Sequence, residues 1–203
     1  MENGDGIIWL ETTDSTNDEA RRRISGLANL SVVAARTQTA GRGQGDHTWT
    51  SAPGENLTST LVLQSPPLPR IAAADLLLLT QLVTRALREY LRGKGVEARI
   101  KWPNDIYAGD RKICGILIEN ILECGCLRSS IIGIGLNLNQ ERFPADLPNP
   151  VSLRQLTSER YDLEAELQML HAALKESASL LQTQEGRIEL GRYFSAHVFR
   201  KEA

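Results

Sequence analysis

Apolar residues alternate with polar ones over several short stretches of the chain, the pattern of strands with one buried face. Strands are predicted at residues 7–10, 31–37, 56–64, 96–101, 105–108, 112–119 and 127–138. One helix is predicted from Asp14 to about Gly26, with Thr16 and Glu19 at the spacing of a capping box. A second helix, residues 71–91, begins apolar on nearly all sides and is expected in the core. A further helical region is predicted over about residues 151–203.

The order of these elements decides the expected fold class. Gly109-Asp110 lies between two predicted strands and is a hairpin signal, and another turn is expected around Gly125. Hairpins favour antiparallel pairing, while the helices interrupt the run of strands. The prediction is an α+β fold, a mixed, largely antiparallel β-sheet packed with helices, as a single domain over residues 1–203.

Composition and charge narrow the function classes. The chain has 203 residues, of which 23 are basic and 25 acidic, and its net charge of −2 lacks the basic excess typical of nucleic-acid or anionic-membrane binding. No apolar run approaches the ~20 residues of a membrane-spanning helix, and the polar N-terminus has no basic region of a secretory signal. Cys114, Cys124 and Cys126 cannot all pair, and the histidines lie far from them in sequence, which disfavours a zinc site. A reducing compartment, the cytoplasm, is therefore expected.

A glycine-rich loop over residues 38–53 carries the first candidate chemistry. In Gly41-Arg42-Gly43-Gln44 the glycines can expose backbone N–H groups to a phosphate or carboxylate, and Arg42 adds a cationic fork. The spacing matches neither a P-loop nor a dinucleotide-binding fingerprint. The alternative is a mobile surface turn, although a loop of this length in a compact domain is often a binding loop or lid.

A second candidate lies where a predicted strand ends in Lys101-Trp102-Pro103-Asn104-Asp105. Here the chain reverses abruptly among polar side chains, and a tight turn in which Asn104 and Asp105 cap their own backbone is the alternative to a ligand site. Lys112 begins an otherwise apolar strand. Because a cation there needs a negative partner, either a protein carboxylate or a ligand is expected beside it.

The third candidate is the strand at residues 131–140. Its alternation sends isoleucines and leucines to one face and Gly133, Gly135, Asn137 and Asn139 to the other. The second face is bare backbone that ends in amides, on which a flat ligand could lie. A bulge or close strand packing would also explain the glycines, and both interpretations stay open.

Seven motifs stand in a fixed order along the chain. They are Ser15-Thr16-Asn17, Gln38-Thr39-Ala40-Gly41-Arg42-Gly43, Trp49, Lys101-Trp102-Pro103-Asn104-Asp105, Arg111-Lys112, Cys114-Gly115-Ile116-Leu117 and Gly133-Ile134-Gly135-Leu136-Asn137. In order and spacing the set resembles the biotin protein ligases over about residues 7–139. The resemblance implies the catalytic domain of a biotin-[acetyl-CoA-carboxylase] ligase, with the biotin/lipoate ligase-like fold of the class II aminoacyl-tRNA synthetase type.

The resemblance also implies a two-step reaction. Biotin and ATP form biotinyl-5′-AMP, which a lysine of a biotin carboxyl carrier protein, from acetyl-CoA carboxylase or a related carboxylase, then attacks. By position, biotin would contact Ser15, Thr16, Asn17, Gln38, Gly41, Arg42, Gly43, Gln44, Lys112 and Gly115. The nucleotide would contact Arg42, Trp49, Lys101, Asn104 and Asn137, with Mg²⁺ near Asn137. Arg42 and Lys112 are the expected catalytic residues, as clamps on phosphate and carboxylate.

The chain also departs from the family pattern. Gln44 stands where many family members carry arginine. Neither an N-terminal winged helix nor a C-terminal β-barrel is expected, and direct DNA repression is therefore not expected either. Exposed sheet edges allow a homodimer. A lipoate ligase or octanoyltransferase of the same fold, and a non-catalytic biotin-binding protein, are the alternatives, although the latter would not need the cations at Arg42 and Lys112.

Overall fold

The computed structural model describes residues 2–3 and 6–199. Its strands are β1 (Glu2–Asn3), β2 (Ile7–Thr13), β3 (Val32–Gln38), β4 (Leu57–Gln64), β5 (Ala98–Lys101), β6 (Asp105–Ala108), β7 (Arg111–Glu123), β8 (Cys126–Leu136) and β9 (Val198–Phe199). Its α-helices are α1 (Thr16–Arg23), α2 (Leu77–Gly93), α3 (Leu153–Thr157), α4 (Leu163–Ser179) and α5 (Gln184–His197). Short 3₁₀ turns lie at Ile24–Gly26, Ala73–Asp75 and Leu180–Gln182.

The strands of the described part form one mixed sheet in the order β1-β2-β3-β4-β8-β7-β6-β5-β9. The pairs β2–β3 and β5–β9 are parallel. The remaining neighbours pair antiparallel. The predicted fold class, α+β with a mixed and largely antiparallel sheet, is therefore confirmed.

The main core lies on one face of this sheet. Ile132, Ile134 and Leu136 of β8 join the apolar sides of α2, α4 and α5 in one buried cluster, as the alternation along this strand predicts. On the opposite face, Ala20 of α1 packs in a smaller cluster with Ile131 and other strand residues. Because α1 has only 8 residues, it covers one part of that face and leaves room for a cleft beside it.

The start of α1 differs from the prediction. Ser15 occupies the N-cap position without a side-chain capping bond, so the predicted capping box of Thr16 and Glu19 is wrong. Instead, the backbone N–H and hydroxyl of Thr16 donate to Gln38 Oε1, over 2.8 and 3.1 Å. Glu19 pairs with Arg22 and with the next arginine along the helix. Gln38 of β3 thus supplies the acceptor for the first N–H group of α1, which a side chain within the helix was expected to provide.

The two later helical predictions need correction at their ends. The predicted helix at 71–91 is a 3₁₀ turn followed by α2, which begins only at Leu77. The region 151–203 is not helical throughout, because Val198 and Phe199 pair in parallel with Ile100 and Lys101. Residues 200–203, which the helical prediction included, lie outside the described residues.

The cysteines are free, as expected from their number and spacing. Cys114 is buried in the sheet, and Cys124 and Cys126 lie at the β7–β8 hairpin. Within residues 2–3 and 6–199, no helix has the length and apolar character needed to cross a membrane.

Candidate functional site

The floor of the cleft is formed by β4, β8 and β7. Thr58, Gly135 and Gly115 form one cross-strand row, and Thr60, Gly133 and Leu117 form the next. A Cβ added to Gly135 would lie 2.3 Å from Trp49 Cε2, so the indole ring rests directly on this glycine. Close packing therefore explains the glycines. A flat ligand could lie on Gly135 only if the indole ring moved.

The neighbouring glycine is covered by the first turn of α1. A Cβ at Gly133 would come within 2.5 Å of Asn17 Oδ1. The same Oδ1 lies 2.7 Å from the hydroxyl of Thr60, which is itself 2.8 Å from the hydroxyl of Thr16. Ser15, Thr16 and Asn17 are all buried. The helix start is thus a rigid polar wall whose amide and hydroxyl groups have fixed directions.

The glycine-rich loop is folded as a small hairpin. The N–H of Trp49 donates to the carbonyl of Gly41 over 3.0 Å, and the N–H of Gly43 donates to the carbonyl of His47 over 2.8 Å. A Cβ at Gly41 would lie 2.3 Å from the Trp49 carbonyl oxygen, and one at Gly43 would lie 3.0 Å from that of His47. The glycines therefore permit close approach of the two arms. The Gly43 N–H, expected to be free for a phosphate, is used inside the loop.

Arg42 projects from this hairpin onto two carboxylates. Its guanidinium lies 2.6 Å from Asp18 of α1 and 2.9 Å from Glu119 of β7. The hydrogen bond to Glu119, supported by the negative charge of Asp18, raises the pKa of Arg42. The arginine that was expected to meet a ligand phosphate or carboxylate is held by protein carboxylates in this structure.

Lys112 has an acidic partner as well. Its Nζ lies 2.7 Å from Asp105 Oδ1 and 5.9 Å from the centre of the Trp49 ring. Of the two partners expected for this buried-strand lysine, the structure therefore provides a protein carboxylate. Both groups remain accessible from the cleft, because the Lys112 and Asp105 side chains are 30% and 17% exposed.

The turn between β5 and β6 fixes the other polar candidates. Asn104 donates its side-chain N–H to the carbonyl of Ile116 and accepts a backbone bond from the same residue, each over 2.9 Å. It therefore joins the turn to β7 rather than capping its own backbone. Lys101 Nζ lies 3.1 Å from the hydroxyl of Tyr107.

Asn137 lies where β8 ends. It is only 4% exposed, and its side-chain N–H donates to the carbonyl of Val151 over 3.1 Å. Within the part of the chain that the structure describes, no three His, Cys, Asp or Glu residues are grouped so as to hold a metal ion. The carboxylate of Asp105, which lines the same cavity, is paired with Lys112. The protein groups around Asn137 therefore do not form a metal site by themselves.

These parts enclose a cavity of about 390 Å³. Apart from Gly41, which is buried inside the hairpin, the predicted site residues all line it: Ser15, Thr16, Asn17, Gln38, Arg42, Gly43, Gln44, Trp49, Lys101, Asn104, Lys112, Gly115 and Asn137. Residues as far apart in the sequence as Ser15 and Asn137 therefore share one cavity.

Residues 9–137 match the sequence model of the biotin/lipoate A/B protein ligase family. The chain belongs to this family. The resemblance seen in the seven motifs is confirmed. The bifunctional ligase/repressor BirA of Bacillus subtilis strain 168 is 35% identical over 166 residues, 78% of this chain and 49% of that protein. The biotin--[acetyl-CoA-carboxylase] ligase of Paracoccus denitrificans is 33% identical over 178 residues, 86% of this chain and 73% of that protein.

Solved structures of the biotin/lipoate ligase family share the fold. The biotin protein ligase of Leishmania major in complex with biotinyl-5-AMP superposes with a TM-score of 0.73 at 27% identity, covering 95% of this chain and 81% of that one. The present chain spans about half the length of BirA relatives such as that of Bacillus subtilis.

Among the polar residues that were not predicted from the sequence, two connect parts of the site. Thr60 lies in the middle of β4 and contacts both Thr16 and Asn17, and Glu119 of β7 contacts Asn17 and Arg42. Both occupy strands at positions that face the cleft. The alternation of β4 could have placed Thr60 on the cleft face, whereas no local signal shows which distant groups Glu119 would meet.

Proposed function

We propose that this chain is the catalytic domain of a biotin protein ligase. It would activate biotin with ATP as biotinyl-5′-AMP and transfer the biotinyl group to a lysine of a biotin carboxyl carrier protein. One observation carries the proposal: a single cavity is lined both by amide and hydroxyl groups, at Thr16, Asn17 and Gln38, and by the cations Arg42 and Lys112. The family relationship supports the same conclusion.

The polar wall suits the head group of biotin. A ureido ring presents two N–H donors and one carbonyl acceptor, and it needs fixed partners because a buried polar group without a hydrogen bond is costly. The wall supplies both hydrogen-bond donors and acceptors, from the hydroxyl and amide groups of Ser15, Thr16, Asn17 and Gln38. Binding by Gly41, Gly43, Gln44 and Gly115 remains part of the proposal, with Gln44 contributing a neutral amide where many relatives carry arginine.

The first chemical step is the attack of the biotin carboxylate on the α-phosphorus of ATP. A bond forms between a carboxylate oxygen and phosphorus, the bond to the bridging oxygen of the β-phosphate breaks, and pyrophosphate leaves. Negative charge accumulates on the phosphate oxygens, so preorganised cations stabilise the transition state. Lys112 Nζ would orient the carboxylate and contact the α-phosphate, with Arg42 as the second cation. Lys112 can do so while it remains beside Asp105, because ammonium carries three N–H donors.

The second step is the transfer of the biotinyl group to the carrier lysine, in which the same cations would act on the leaving group. The uncharged ε-amine of the carrier lysine attacks the biotinyl carbonyl carbon, the carbon–oxygen bond to AMP breaks, and the amine loses a proton to solvent as the amide forms. Lys112 and Arg42 would hold the departing phosphate. Trp49, Lys101, Asn104 and Asn137 are proposed to contact the nucleotide. Mg²⁺ would enter with the ATP phosphates, which would bind it together with water molecules.

The remaining assignments follow from the proposed activity. The partner would be the biotin carboxyl carrier protein of acetyl-CoA carboxylase or a related carboxylase, and the compartment would be the cytoplasm. A homodimer through a sheet edge remains a prediction, as does the assignment of residues 1–203 to one catalytic domain.

Pyrophosphate exchange tests the proposal against its alternatives. The chain is incubated with ATP, Mg²⁺, labelled pyrophosphate and either biotin or lipoate. We expect label to enter ATP only with biotin. Exchange with lipoate instead would identify a lipoate ligase. Biotin binding by calorimetry without any exchange would identify a binding protein, and neither binding nor exchange would contradict the proposal outright.

A further inference from the structure

One carboxylate contacts both the helix and the loop of the cleft. Glu119 lies on β7, its Oε2 accepts from the side-chain N–H of Asn17 over 2.9 Å, and its Oε1 lies 2.9 Å from Arg42 and 3.1 Å from Arg21. The two cleft residues belong to segments that are 25 positions apart in the sequence. Glu119 is therefore a direct physical link between the start of α1 and the loop hairpin.

Glu119 is charged and largely buried. The side chain of Glu119 is only 21% exposed. Burial alone would raise its pKa, but the hydrogen bonds from Asn17 and Arg42 outweigh that effect and hold the pKa below its ordinary value. Glu119 is consequently a carboxylate at neutral pH and accepts from both groups at once. Charge-assisted bonds of this kind fix geometry more firmly than neutral ones.

The contacts of Glu119 with Asn17 and with Arg42 have different consequences for the site. The side-chain amide of Asn17 is held at both ends. Its oxygen accepts from the hydroxyl of Thr60, and its N–H donates to Glu119, so Glu119 fixes the direction of the N–H group. Through Arg42, it anchors the arm of the hairpin that carries Gly41 and Gly43. Asp18 shares only the second of these roles, because it contacts Arg42 over 2.6 Å.

We propose that Glu119 is a positioning residue that couples recognition at Asn17 to closure of the loop hairpin through Arg42. This inference rests on the proposed ligase function. Because Asn17 is held in its orientation by the same carboxylate that anchors Arg42, loss of Glu119 loosens the ligand wall and the lid together. Loss of Asp18 loosens only the lid.

The test compares Glu119→Gln, Asp18→Asn and Glu123→Gln. Glutamine at 119 keeps the size of the side chain but loses the charge. Glu123 also lies on β7 and pairs with an arginine, Arg128, yet both side chains are about 60% exposed and away from the cleft, so it is the matched control. Each protein is measured for biotin affinity by calorimetry without ATP, for release of biotinyl-AMP after a single turnover, and for pyrophosphate exchange at saturating biotin.

We expect Glu119→Gln to weaken biotin binding and to speed adenylate release, each by about tenfold, as loss of a charge-assisted hydrogen bond predicts. Exchange at saturating biotin should stay within about twofold. Asp18→Asn should speed release but leave biotin affinity unchanged, and Glu123→Gln should match the wild type. This separation of affinity, release and chemistry is not produced by a general loss of stability.

Three results would overturn the inference. If Glu119→Gln matched Glu123→Gln in both affinity and release, or if it lowered exchange alone, Glu119 would not couple the two elements. An affinity change without faster release would also contradict the coupling. Absence of exchange in the wild-type chain is a separate result, since it would contradict the proposed function before any variant was compared.

Discussion

Lys112 and Asp105 form an ion pair on the wall of the cavity, with 2.7 Å between Nζ and Oδ1. The pair limits the movement of the ammonium, and the centre of the Trp49 ring lies 5.9 Å from Nζ. A cation held in this way needs little reorganisation when an anionic carboxylate and phosphate arrive. At the residue scale, the fixed position of the Lys112 ammonium is the feature of the site best suited to stabilise negative charge.

Replacement of Lys112 by alanine should therefore abolish most of the activation step. We expect pyrophosphate exchange to fall at least about a hundredfold, because a transition-state contact is removed and the carboxylate of Asp105 is left to repel the anionic substrates. Arg111→Ala is the matched control, since this exposed neighbour is not among the residues that line the cavity. Near-normal exchange in Lys112→Ala, with a folded protein, would remove Lys112 from the catalytic role.

At the element scale, the loop hairpin shows where prediction from the sequence reaches its limit. Period-two alternation located β4 and β8 well, because it is a local property of each strand. The ladder inside the loop, between Gly41 and Trp49, has no such pattern and was expected to be irregular. The contacts of Arg42 with Asp18 and Glu119 span 24 and 77 positions, so no local motif could have shown them. The strand Val198–Phe199 is too short to produce alternation.

The close approach inside this hairpin makes a graded prediction. Gly41→Ala should release biotinyl-AMP faster than Gly43→Ala, because the added Cβ meets a carbonyl oxygen at 2.3 Å in the first case and at 3.0 Å in the second. The escaped adenylate is measured as biotinylation of lysines on a bystander protein. Gly26→Ala is the control, since its Cβ would meet nothing within 4 Å. Equal retention of the adenylate in Gly41→Ala and the control would contradict the role of the hairpin as a lid.

At the scale of the whole molecule, helices on one face of the sheet support a cleft on the other. The contact between α2 and α4 contains a buried carboxylate, Glu166, which accepts from the hydroxyl of Tyr90 over 2.6 Å and lies 2.7 Å from Lys94 Nζ. Burial and the neighbouring carboxylate raise the pKa of Tyr90, which therefore stays protonated as the donor. This polar cluster lies on the side of the sheet away from the site and contributes to stability rather than chemistry.

Glu166→Ala should consequently destabilise the fold and leave the site intact. Removing the carboxylate deprives a buried hydroxyl and a half-buried ammonium of their partner, for which we expect a loss of about 2–3 kcal/mol in the free energy of unfolding. Glu164→Ala, on the same helix, removes an exposed pair with Arg36 and should cost about 1 kcal/mol or less. Urea unfolding measures both values. Equal losses in the two variants would show that the buried cluster contributes no more to stability than an exposed ion pair.

We propose that one cavity holds biotin and nucleotide between the polar wall of α1 and the cation Lys112. A crystal structure of the chain with biotin and a non-hydrolysable ATP analogue tests it most directly. We expect the ureido ring to lie against Thr16, Asn17 and Gln38, with the biotin carboxylate within hydrogen-bond distance of Lys112 Nζ. Ligands bound elsewhere, with neither Arg42 nor Lys112 near biotin or the phosphates, would contradict it.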